Sequence, residues 1–84
     1  MKVIENQLVF TEHSVFLVEP IDVSGVSGYR VTKKEDSSRE DKTGFPVGWQ
    51  HEGTDLFLAV GCCMRLGDFA TSVVKRITCV EPHH

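Results

Sequence analysis

An α+β fold, with a three- or four-stranded antiparallel sheet followed by a C-terminal helix packed on one face, is predicted for this chain by three observations. Runs rich in Val, Phe, Leu and Ile alternate with short polar turns in the first third, which is a strand pattern. A charged segment, "KKEDSSREDK", then separates the last strands. From Leu56 onward, apolar residues recur at steps of three and four, the spacing of one helical face.

The first pair of strands is expected in "KVIENQLVF" and "SVFLVEP", joined by the polar turn "TEH". Pro20 lacks a backbone donor, so it either ends the second strand or confines it to a sheet edge. "DVSGVSG" follows as a tight connection, with Gly25 and Gly28 able to take positive φ. A third strand is predicted in "GYRVTKK", where Tyr29 and Val31 alternate with Arg30 and Thr32 and define one buried face. Residues 33–42 hold four basic and four acidic residues around two serines, which reads as an exposed charged loop with nothing to bury. "GFPVGW" resumes the alternation at Phe45, Val47 and Trp49, and Pro46 limits it to an edge strand.

The predicted helix begins with Thr54 as N-cap and Asp55 in the first turn, and it carries Lys75 and Arg76 near its far end, as the helix dipole favours. Leu56, Ala59, Val60, Cys63, Leu66, Gly67, Ala70, Val73, Val74 and Ile77 form its apolar face. The phase is kept across Gly67, which favours one helix of about 24 residues and about 36 Å. The alternative is that Gly67 closes a first helix and Asp68 caps a second.

The 84 residues suit one domain (1–84), too small to enclose a deep cleft, so an enzyme of this length would borrow its site from a subunit interface. A net charge of −3 supplies no attraction for phosphate backbones. Tyr29, Arg30, Lys33 and Lys34 place an aromatic beside cations, but Glu35 and Asp36 cancel that charge, so nucleic-acid binding is not expected. Glu5, Asn6 and Gln7 break what would be a signal core, and the apolar run from Leu56 to Met64 is far short of the roughly 20 residues that span a bilayer. Three cysteines without a signal pattern point to the cytoplasm, with no membrane partner.

"LFLAVGCCMRLGDFA" holds two adjacent thiols. On the helical reading Cys63 lies mid-face, and the row Ala59, Cys63, Gly67, Ala70 makes a small-residue packing surface, so both thiols are expected to be structural. Cys62, Cys63, Cys79 and His51 lack zinc-ligand spacing, and the adjacent thiols fall mid-helix with only Arg65 close in sequence to activate a thiolate, so neither a metal nor a cofactor is expected. His51-Glu52 reads as polar loop, and "SGVSG" matches no phosphate or nucleophile motif. His83 and His84 are given no functional weight.

The second strand is apolar on both faces, with Val15 and Leu17 on one and Phe16 and Val18 on the other. One helix covers one face, so a second copy of the chain is expected on the other. The function expected is a small non-catalytic binding or regulatory module, acting by protein contact as a homodimer, with Phe16, Val18, Trp49 and Phe57 as interface candidates. The alternative is a small-ligand site or enzyme at a subunit interface, lined by Tyr29, Trp49, His51 and Cys63.

Overall fold

The computed structural model describes residues 5–36 and 46–80. Seven antiparallel strands form one curled sheet, a half-barrel, with no helix among the described residues. They are β1 (Gln7–Thr11), β2 (Ser14–Val23), β3 (Val26–Asp36), β4 (Gln50–Gly53), β5 (Leu56–Phe57), β6 (Cys63–Leu66) and β7 (Phe69–Cys79), in the sheet order β4-β3-β2-β1-β7-β6-β5. The fold is therefore all-β, and the α+β expectation with its C-terminal helix is overturned.

The predicted hairpins of the first third are present. β1 and β2 pair through a two-residue turn, Glu12-His13, where Thr11 Oγ1 accepts from Ser14 N and donates to Ser14 O, both at 3.0 Å. β2 and β3 turn at Ser24 and Gly25, both at positive φ (51° and 83°), as the twist of a two-residue hairpin requires. β2 runs through Pro20 to Val23, but its pairing with β1 ends at Val18. Pro20 thus sits where only β3 flanks the strand and no donor is missed. β3 extends to Asp36, and Lys33 within it is fully buried opposite Phe16, so the charged segment does not begin as a loop. Phe45, 37–42 of that segment, and His83 and His84 lie outside the described residues. The "QHE" read as polar loop is β4, paired with β3 and held further by Lys33 N donating to Trp49 O at 2.8 Å.

Where one helix was expected, residues 56–79 make three strands. Leu66↔Phe69 closes a two-residue hairpin with Gly67 at φ 60°, the position that glycine fills in a type II′ turn. Cys62 N donates to Ala59 O across a second turn in which Gly61 has φ 90°. β6 alternates cleanly: Cys63 and Arg65 point out, Met64 and Leu66 in. β7 is rich in β-branched residues (Thr71, Val73, Val74, Ile77, Thr78), whose χ1 restriction disfavours helix and suits a pleated surface. The apolar stripe does not become the interior: Val60, Cys63, Gly67 and Ala70 of it are exposed, whereas Leu58, Met64 and Phe69, which lie off it, are buried.

The curl replaces the missing helix. Phe16, Val18 and Val31 of β2 and β3 pack with Met64, Leu66 and Phe69 of the β6–β7 hairpin, and with Val9, Leu58 and Val74, in a single core. Phe16 meets Phe69 edge-on at 5.7 Å. Burial of each such side chain contributes about 1.5–3 kcal/mol against chain entropy. Across the seam of the half-barrel, Phe69 also touches Trp49, just before edge strand β4, and His51 within it, at 4.7 and 5.8 Å between ring centroids. The two edge strands β4 and β5 are consecutive in the chain, linked by Thr54 and Asp55 alone. A short covalent link thus ties the sheet's two edges together.

Candidate functional site

Phe16 and Val18 are both 0% exposed, so the sheet's own interior uses them and they offer nothing to a partner in this fold. The ladder sets Val31 opposite His51, which puts Tyr29 diagonal to His51 on the same face. Trp49 and His51, two residues apart, stack with ring planes 1° apart and centroids at 5.8 Å. Tyr29 and Trp49 are partly buried against the core. The structure therefore gathers three of the four ligand candidates, but the Trp49 and His51 rings are engaged with Phe69 in closing the seam and Tyr29 packs on the core. Cys63 stands apart from them, exposed on the outer face of β6.

Cys62 and Cys63 are both exposed, which corrects the expectation of Cys63 in the middle of a buried helix face. Cys62 follows the Gly61 turn, and Cys63 opens β6 opposite Val73. Cys79 is also exposed, near the end of β7. Among the described residues, no group of three or more His, Cys, Asp or Glu side chains comes together.

Phe57 alone of the four interface candidates is presented outward, at 50% exposed. It lies on β5, the last strand of the sheet, opposite Arg65 of β6. Strand alternation puts Asp55 on the same side as Phe57, and Gly67 on the same side as Arg65. Gly67 N donates to Asp55 O at 3.0 Å, which fixes the chain as it enters β5. Asp55, Phe57, Arg65 and Gly67 line an open groove of about 330 Å³. Its acid and its base form no ion pair with each other. The turn after β5 adds Val60, 59% exposed.

The groove thus combines an aromatic face, a guanidinium and a carboxylate beside an open strand edge. The sequence pattern does not point to Arg65, and it places Asp55 in the first turn of a helix. The two-residue alternation of Asp55-x-Phe57 and Cys63-x-Arg65-x-Gly67 was the signal that would have found them.

The described residues contain no helix long and apolar enough to cross a membrane. No family model matches the chain, and no curated protein or solved structure matches it either.

Proposed function

We propose that this protein is a non-catalytic binding module that works by protein contact, self-association first, through the free β5 edge of the half-barrel. The observation that carries this reading is the half-exposed Phe57 on the terminal strand, with Val60 exposed in the turn that follows. An open edge offers unpaired backbone groups to another strand, and chains that do not use such an edge commonly blunt it with charge, proline or a cover. A large, half-exposed apolar side chain on that edge supports use over protection. The reading puts the protein in the cytoplasm, supported by three exposed thiols that form no disulfide.

Sedimentation of the full chain over a concentration series tests it. Wild type is expected to shift from monomer to a larger species as concentration rises, and Phe57→Glu to remain monomeric throughout with an unchanged melting temperature. A wild type that stays monomeric, or a Phe57→Glu variant that associates equally well, would overturn the reading.

A further inference from the structure

We infer that the groove formed by Asp55, Phe57 and Arg65 receives a second copy of this chain, the two β5 strands pairing antiparallel about a two-fold axis, with Asp55 of each copy against Arg65 of the other. This rests on the self-association proposed above and names its geometry.

The argument starts from which residues share a face. Asp55 and Phe57 lie on one side of β5, and Arg65 stands directly opposite Phe57 on β6. Antiparallel strands are related locally by a two-fold axis normal to the sheet, so pairing β5 with its own copy keeps those side chains on the same face of a continuous sheet. If Leu56 is the central pair, Asp55 falls opposite Phe57 of the second copy. A single row then reads Arg65, Phe57, and Asp55 of the second copy, and the two-fold axis repeats it.

Reach is compatible with this row. Arg65 and Asp55 of the second copy are two strand spacings apart, about 10 Å between backbones, which an extended arginine and an aspartate span together. The guanidinium crosses the Phe57 ring on the way, an arrangement that the ring quadrupole favours. The fold already uses such a pairing elsewhere, with Arg76 4.2 Å above the Phe10 ring on the neighbouring strand.

Charge selects the occupant. The groove has one carboxylate and one guanidinium that do not pair with each other. A two-fold contact puts residue i against j and j against i, so a surface with one of each is complementary to itself. A foreign strand would have to supply the opposite charges at matching spacing, whereas a second copy carries them already.

Complementary charge reversal tests the pairing. Asp55→Arg alone sets arginine against arginine at both symmetric contacts, and Arg65→Asp alone sets aspartate against aspartate. Each variant is expected to associate about tenfold or more weakly than wild type, since like charges placed together at an interface are costly. An equimolar mixture restores both opposite-charge contacts, so native mass spectrometry should show a heterodimer as abundant as the wild-type dimer. Both sites are on the surface, and equal melting temperatures for wild type and variants serve as the folding control. If wild type associates and Phe57→Glu does not, but the mixture binds no better than the single variants, the edge is the interface and this two-fold pairing is overturned. Single variants that dimerise as wild type does would also overturn it. A wild type that never associates removes the underlying reading instead.

Discussion

Gly28 shows how one residue can be set by a contact that no local pattern announces. It is buried in β3, and a Cβ built on it would lie 2.6 Å from Val23 Cγ2 and 2.8 Å from the backbone oxygen of Gly53. The sequence reading credited Gly28 with freedom of φ, but its value lies in close approach, because the β2–β3 hairpin and β4 converge there. Gly53 is backbone in a paired strand and cannot turn aside, so Gly28→Ala is expected to cost about 1–3 kcal/mol. For a domain of this size that lowers the melting temperature by several degrees at least, at about 4–8 °C per kcal/mol. A thermal melt identical to wild type would mean that β4 does not pack as described. Gly25, by contrast, has nothing within 4 Å of its would-be side chain and is needed only for its φ of 83°.

At the scale of elements, Gly67-Asp68 decides between helix and hairpin. Glycine inside an exposed helix costs about 1 kcal/mol relative to alanine, so a helical chain would be stabilised by Gly67→Ala. In the hairpin, Gly67 holds φ 60° at the first central position of the turn, where an alanine is strained by about 1–3 kcal/mol. Gly67→Ala is therefore expected to destabilise, and chemical denaturation gives the sign directly. A stabilised variant would restore the helical reading of residues 56–79. The dipeptide Gly-Asp between Leu66 and Phe69 is itself a hairpin signal, and it was outweighed by the apolar stripe. Periodicity alone misleads here, since the three-and-four stripe runs through the exposed Cys63, Gly67 and Ala70 while Met64 and Phe69, off it, are buried. The β-branched content of β7 was the better discriminator, because it acts on each residue's backbone preference and does not depend on phase.

For the whole molecule, the question left by the sequence was what covers the second apolar face of β2. Curling of the sheet encloses Phe16 and Val18, while Leu17 on the other side is only partly buried. Phe16→Asp is accordingly expected to unfold the protein: even truncation of a buried phenylalanine costs about 3–5 kcal/mol, and domains hold only about 5–15. Loss of the cooperative melt and of dispersed amide resonances is the readout, and a folded Phe16→Asp monomer would show that this face is not the interior. Phe57→Glu, on the outer surface, should leave the fold intact, so the two variants separate core from contact surface. The first two hairpins, the tight connection at Gly25 and the inward choice of Val31 were legible in the sequence, because they follow from alternation and turn chemistry within a few residues. Long-range packing settles that β1 pairs with β7, that the sheet curls until Trp49 and His51 reach Phe69, and that Lys33 is buried while Cys62 and Cys63 are not. Those outcomes depend on residues far apart in the chain, and a strand's inner face is defined only once its neighbours and the direction of curl are in place.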